Sequence, residues 1–387
     1  MKIRILLLCV IVLVSSCMHQ NNHDVEKQHK WSEIVTNSVT RRWDTIAADN
    51  KYKWTYDIAY LVRAVYLSDQ KKYFSFLKNY VDYFITNNGT ITGFSRDEYN
   101  LDRIQAGRNL FYMYQKTKDS KYQKAIEYLL EQMKSQPKNN EGGFWHKKIY
   151  PNQMWLDGIY MACPFMAQYA KEFNQPQWFN VVVDQITLIH KHTFDPKTGL
   201  MYHAWDESKK EAWCNPETGQ SRNFWSRAMG WYTMALIDVL DYLPENHPGR
   251  AQLIQILQEE SRALVKVQDS ESGLWYQVLD KGYKEGNYLE ASGSAMFTYV
   301  LAKGVRKGYL DKSYLDIANK AFKGIVDNLI EKDTAGNLNL THICGSCGLG
   351  GNPYRDGSYE YYINEKIGTN DPKGVGPFIL ACLELNK

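Results

Sequence analysis

Apolar residues recur at helical spacing along most of this chain. Ile58, Leu61, Val62 and Val65 form one stripe, and Leu77, Tyr80, Val81 and Phe84 form another. Ala125, Leu129 and Met133 follow, then Met161, Phe165, Met166 and Tyr169. The second half repeats the pattern. Tyr232, Leu236, Val239 and Leu243 come first, then Leu253, Ile256, Leu257 and Leu264. Met296, Tyr299 and Val300 precede Leu315, Ala318, Phe322, Ile325 and Leu329. Residues three or four apart share one helix face, so each stripe predicts an amphipathic helix, and about twelve helical segments fit the chain.

The linkers alternate in kind. Short polar ones cover 68–72, 117–121, 173–177, 244–250 and 307–313, three of them built on Asp and Tyr, as in Asp119-Ser120-Lys121-Tyr122. Long ones cover 86–100, 135–156, 191–225, 268–289 and 331–373, each with Gly before apolar or aromatic residues, as in Gly143-Phe144-Trp145 and Gly273-Leu274-Trp275. The result is a degenerate repeat of about 50–70 residues, each unit a helical hairpin. Six hairpins closed in a ring give an all-α (α/α)6 barrel, predicted as one domain over residues 31–387. An open α-solenoid is the alternative. The irregular unit length and the lack of a polar capping repeat weigh against it.

In such a ring the helices after the long linkers all point their N-termini at one face, where their dipoles favour an anion. The distinctive residues sit at those helix starts. In Gln153-Met154-Trp155-Leu156-Asp157-Gly158, the Asp157 carboxyl lies beside Trp155, and desolvation there favours the protonated, proton-donating form. The competing reading is that Asp157 merely caps the following helix. Asp102 supplies a second carboxyl at another helix start. Arg227 lies between Trp225 and Trp231, a setting suited to bidentate carboxylate binding. His146 and His203 occupy long linkers among aromatic neighbours and are either ordinary loop residues or site residues. With no helical HxxxH and no acidic run, no metal and no other cofactor is expected. Nor is there a G-x-S-x-G elbow or a phosphate-binding loop. Paired acids among aromatic rings are the equipment of sugar hydrolysis.

Composition adds limits. Of 387 residues, 44% are hydrophobic, enough for a large core, and 28 Tyr with 11 Trp suit carbohydrate contact. A net charge of +3 without a long basic run excludes nucleic acid as a partner. Lys2 and Arg4 precede the apolar run Ile5–Val14, which ends in Val14-Ser15-Ser16-Cys17. This predicts a lipoprotein signal over 1–17 with lipidation at Cys17, then a polar tether over 18–30. The protein is thereby expected to be exported and anchored to a membrane, in the periplasm or at the cell surface of a bacterium. An ordinary secretory signal is the alternative. Cys163, Cys214, Cys344, Cys347 and Cys382 form no disulfide framework. Cys344-Gly345-Ser346-Cys347 reads as two buried thiols or an incidental disulfide, with a redox pair as the third option.

The runs around Asp157, Asn223-Phe224-Trp225-Ser226-Arg227-Ala228-Met229-Gly230-Trp231 and Arg355-Asp356-Gly357-Ser358-Tyr359-Glu360-Tyr361-Tyr362 resemble glycoside hydrolase family 105, the unsaturated rhamnogalacturonyl hydrolases. Leu289-Glu290-Ala291-Ser292-Gly293 and Gly374-Val375-Gly376-Pro377-Phe378 fit as well, so the resemblance spans nearly all of the chain after residue 31. It implies a metal-free (α/α)6 barrel. The substrate is a lyase-generated oligosaccharide, from which the enzyme removes a Δ4,5-unsaturated uronic acid, galacturonyl in the rhamnogalacturonan disaccharide, by hydrating its vinyl ether. By the same resemblance, Asp157 protonates C4 and handles the water that adds at C5. Asp102 holds sugar hydroxyls, and His203 lies near the reacting end. Arg227 binds the uronate carboxylate, Trp225 and Trp231 stack on the sugar, and Tyr56 and His146 line the pocket. The rival readings are a histidine-led sugar isomerase or epimerase on a similar barrel, and a lipid-anchored glycan-binding protein.

Overall fold

The computed structural model describes residues 31–46 and 53–387. Twelve helices of ten residues or more occur among them. They are α1 (31–41), α2 (Tyr56–Ser68), α3 (Phe74–Phe84), α4 (Arg108–Thr117), α5 (Ser120–Ser135) and α6 (Leu156–Glu172). The rest are α7 (Gln177–Thr193), α8 (Ser226–Val239), α9 (Arg250–Lys266), α10 (Ala291–Arg306), α11 (Ser313–Asn328) and α12 (Pro372–Leu385). The signal, the tether and Cys17 lie outside the described residues. Among the described residues, no helix is long and apolar enough to cross a membrane.

Even-numbered helices form the inner ring and odd-numbered ones the outer ring. Sequence dictates this layering. All of α8 is buried, Ser226 through Val239, so apart from Arg227 and Asp238 near its two ends it reads as largely apolar or small on every side. In α9, by contrast, Leu253, Ile256, Leu257 and Leu264 form a single buried stripe, and the opposite face is polar. Truncating one of these stripe residues, such as Leu257→Ala, should cost about 2–5 kcal/mol. The ring closes: α6 packs on α8, α8 on α10, α10 on α12 and α12 on α2, while α2 and α6 both rest on the turn Gln105–Gly107 that leads into α4. Closure rules out the solenoid.

Five of the six pairs are hairpins with short links. The sixth joins the two ends of the described chain. Val35 and Val39 of α1 meet Val375 and Phe378 of α12 around a small void, and the α1 residue Ser38 accepts from the Leu338 amide at 3.1 Å. The long linkers also hold three two-stranded antiparallel sheets, a feature that the helical periodicity did not predict. They are β1 (Gln153–Trp155) with β2 (Ala204–Asp206), β3 (Ile330–Lys332) with β4 (Leu338–Leu340), and β5 (Ile343–Cys344) with β6 (Ile367–Gly368).

Candidate active site

The β1–β2 pair brings the first two site residues together. Its register sets Trp155 opposite Ala204, and the Leu156 amide donates to the His203 carbonyl at 3.0 Å. His203 is thereby fixed beside the first turn of α6. Trp155, with extended dihedrals, occupies the N-cap position. Asp157 is therefore not the cap. It lies inside the first turn, where the helix dipole favours a carboxylate. Its side chain is 15% exposed, and its Oδ2 is 3.1 Å from His203 Nε2. His203 is fully buried, and its Nδ1 pairs with the Tyr362 hydroxyl at 2.8 Å. When Nδ1 accepts from that hydroxyl, Nε2 carries the ring proton and faces Asp157 Oδ2, although the two atoms are not aligned for a hydrogen bond.

A second cluster adjoins the first. Asp102 Oδ2 is 2.6 Å from Lys147 Nζ, and Oδ1 is 3.5 Å from His146 Nε2. Burial works against ionisation of Asp102, but Lys147, through its charge and its hydrogen bond, prevails and holds the carboxyl below its usual range. Burial likewise opposes the Lys147 charge, and Asp102 outweighs it, so the ammonium is held above its usual range. Burial pushes His146 down to about 4 despite the pull of Asp102. His146 is thus neutral at neutral pH. It stacks on Trp155 at 4.6 Å, and Tyr150 stacks on the same indole at 4.9 Å. The helix must be bare where the imidazole approaches it: a Cβ on Gly158 would lie 2.8 Å from His146 Nδ1.

The third group is built on the first turns of α8 and α10. Arg227 is 1% exposed, with its guanidinium over the Trp225 ring at 4.8 Å. Nη1 donates to the Cys344 carbonyl at 2.5 Å and to Ser292 Oγ at 3.4 Å, and Nη2 donates to the Gly345 carbonyl at 3.0 Å. Its Nε has no partner. Glu290 organises the surroundings, accepting from Ser292 Oγ and from the amides of Gly293 and Cys344. Burial works against the guanidinium charge, but Cys344 and Glu290 more than compensate. Tyr56 links the groups: burial raises its phenol, Asp102 and Asp157 raise it further, and Arg227 opposes them.

The loop face therefore gathers Asp157, Asp102, His203, His146, Arg227, Tyr56, Trp155 and Trp225. Two rings differ from the stacking expectation. Trp231 is 1% exposed, stacks on Tyr160 at 4.8 Å and meets the ring of Tyr60 edge-on. It lies one turn beyond Arg227 along α8, inside the core. Trp225 is also 1% exposed, bonded through Nε1 to Gln277 and covered by Arg227. In a bundle this tight, an indole one turn below the helix start becomes part of the core. Lys147 and Tyr362 also join this cluster, through Asp102 and His203, and residue-level reading missed them. Lys147 adjoins His146 in Phe144-Trp145-His146-Lys147, and Tyr362 ends a motif that carried the family resemblance. The arrangement offers a sparsely partnered carboxyl, an ionised carboxylate fixed by a lysine, a neutral imidazole and a buried guanidinium. It can transfer a proton to and from a bound anionic molecule.

Several known proteins similar to this chain are glycoside hydrolases. The model for Glycosyl Hydrolase Family 88 matches residues 19–387. A solved C. acetobutylicum glycoside hydrolase from family 105 is 46% identical, with a TM-score of 0.88, covering 92% of this chain and 99% of that one. The unsaturated rhamnogalacturonyl hydrolase YesR of Bacillus subtilis is 26% identical over 320 residues, 79% of this chain and 83% of that protein. An unsaturated 3S-rhamnoglycuronyl hydrolase of Formosa agariphila is 29% identical over 180 residues, 45% of this chain and 46% of that protein.

Proposed function

Because the chain belongs to the glycoside hydrolase 88/105 family of unsaturated glycuronyl and rhamnogalacturonyl hydrolases, we propose that it removes a Δ4,5-unsaturated galacturonyl unit from the rhamnogalacturonan disaccharide left by a lyase. The isomerase and glycan-capture readings give way to a hydrolase.

The reaction is hydration of an enol ether. Asp157 gives its proton to C4, and positive charge develops at C5, next to the ring oxygen. Asp157, now a carboxylate, orients and deprotonates the water that adds at C5. The hemiketal opens to a C5 ketone, and the anomeric carbon releases the aglycone as an alcohol. His203 fixes the Asp157 carboxyl in place through the 3.1 Å contact. The Asp102–Lys147 pair meets sugar hydroxyls at its exposed edge. Arg227 takes the uronate carboxylate through its unpaired Nε side, and Tyr56 stands between carboxylate and acid. A positioned acid/base of this kind typically contributes about 10²–10⁴ in rate.

The observation carrying this reading is a carboxyl at an inner-helix N-terminus that has a neighbouring imidazole and, among the described residues, no lysine or arginine at ion-pair distance. The galacturonyl choice draws on the likeness to YesR. The Formosa relative, an unsaturated 3S-rhamnoglycuronyl hydrolase, supports an unsaturated glycuronyl unit on rhamnose, taken here as glucuronyl, as the second reading. Incubating the protein with each unsaturated disaccharide and following the near-ultraviolet alkene absorbance decides between them. Bleaching of the rhamnogalacturonan disaccharide at the higher kcat/KM is expected, and faster bleaching of the glucuronyl compound would reverse the assignment. Attachment to a membrane through lipid on Cys17 is part of the same proposal. A Cys17→Ser chain that still carries lipid and still fractionates with membranes removes that part.

A further inference from the structure

The reaction above leaves Cys344-Gly345-Ser346-Cys347 unused. The two sulfurs lie 3.4 Å apart, and both thiols are free and buried. Gln277 Nε2 approaches Cys344 Sγ at 3.1 Å and Cys347 Sγ at 3.7 Å. The Cys344 backbone is clamped on both sides: its amide donates to Glu290 Oε1 at 3.0 Å, and its carbonyl accepts from Arg227 Nη1 at 2.5 Å. A disulfide needs sulfurs about 2.0 Å apart, so rotation about the Cα–Cβ bonds of this pair can close the gap. Such a dithiol lies directly against the carbonyls that hold the guanidinium assigned to the substrate.

We propose that Cys344 and Cys347 are a redox centre that sets the charge felt by Arg227, a dithiol when reduced and a disulfide after oxidation by a small peroxide. The two thiols are unequal. The hydrogen bond from Cys347, aided by Arg227, holds Cys344 below the usual thiol range in spite of burial. Burial pushes Cys347 well above it. Cys344 is thus the more readily ionised of the two and the attacking sulfur, and Cys347 is the resolving thiol. The Cys344 thiolate attacks the peroxide, the O–O bond breaks, and hydroxide leaves as a sulfenic acid forms. Cys347 Sγ then attacks that sulfur, the S–O bond breaks, and water departs with the Cys347 proton. The two sulfurs lose two electrons in all, and the peroxide becomes two waters once the hydroxide takes up the proton that Cys344 released on ionising.

The consequence has a sign. In the dithiol form, a thiolate competes with the substrate carboxylate for the Arg227 charge. The disulfide removes that competitor. The oxidised enzyme should therefore show a lower KM for the anionic disaccharide, by about threefold or more, with kcat little changed. This step rests on the assignment of Arg227 to the substrate carboxylate.

The test uses the full chain after hydrogen peroxide or dithiothreitol, with alkylation under denaturing conditions, peptide mapping and KM measured at mildly alkaline pH. Peroxide should remove two alkylatable thiols, in one linked Cys344–Cys347 peptide, and lower KM. Cys347→Ser should keep the higher KM, and Cys344→Ser the lower one, both insensitive to peroxide; thermal melts check that each variant is folded. Thiols that still alkylate after peroxide overturn the proposal, as does a disulfide form with unchanged KM. The Arg227 assignment fails separately, if Arg227→Ala binds the disaccharide like the wild type.

Discussion

Asp157 and Asp238 are both carboxylates on inner helices, and the barrel treats them in opposite ways. Asp157 lies in the first turn of α6 on the loop face, with His203 Nε2 3.1 Å from its carboxyl. Asp238 lies near the C-terminal end of α8, where the helix dipole disfavours an anion. It accepts from Arg108 at 2.9 Å, Lys303 at 2.8 Å, Tyr299 at 2.7 Å and Tyr160 at 3.2 Å, and Arg63 lies 3.6 Å away. Burial alone would raise its proton affinity, but Lys303, Arg108 and Arg63 hold it far below the usual carboxylate range. A carboxylate saturated with donors holds helices together and stays ionised. One with few partners can exchange a proton with a substrate.

Substituting the two tests that division. Asp157→Asn should lower kcat/KM by at least about 10²-fold while leaving the melting temperature near that of the wild type. Asp238→Asn should do the reverse. It strands buried cations and should cost about 3–5 kcal/mol in urea unfolding, with the folded fraction still turning over substrate. If the two phenotypes exchange places, the roles have been misassigned. Lys147→Met moves Asp102 away from the saturated class. With its strongest cation gone, the carboxyl should bind its proton more readily, and the acid limb of the pH–rate profile should move to higher pH. A limb that stays in place removes Asp102 ionisation from the mechanism.

Glu260 gives the smallest effect and a third environment. It is fully buried on α9, its carboxylate oxygens lack hydrogen-bond partners, and His190 Nε2 lies 3.6 Å away. Burial raises it to about 7, with His190 opposing. The folded state thus binds a proton that the unfolded chain has lost above about 4.5. Stability from this group is full below that pH and declines as pH rises toward about 7. Glu260→Gln should flatten this decline and raise the melting temperature at pH above 7 by roughly a few degrees. Equal pH dependence in both proteins would show that Glu260 does not titrate in this way.

The sequence made some of these features readable and hid others for physical reasons. Stripes such as Leu253, Ile256 and Leu257 exposed the outer helices, because one buried face imposes a period. The alternation of short and long linkers fixed the ring and the face bearing Asp157. Helix α1 escaped, since its partner α12 lies at the far end of the chain and no local link announces the pair. The Asp157–His203 contact depends on the register of a three-residue strand pair, too short for any periodicity. The Asp102–Lys147 pair depends on a loop folding back on itself. Trp231 and Trp225 looked like open platforms because a motif gives neighbours in sequence, whereas Tyr160 and Arg227 cover them in space.

The central claim is that Asp157 delivers a proton to C4 of the unsaturated ring. Turnover in deuterium oxide, followed by nuclear magnetic resonance, tests it most directly. The wild type should place one deuteron at C4, with a single stereochemistry, as the alkene signal vanishes, and Asp157→Asn should do neither at a comparable rate. Product that keeps its alkene and carries no deuterium at C4, or an Asn variant that labels C4 as fast as the wild type, would contradict it.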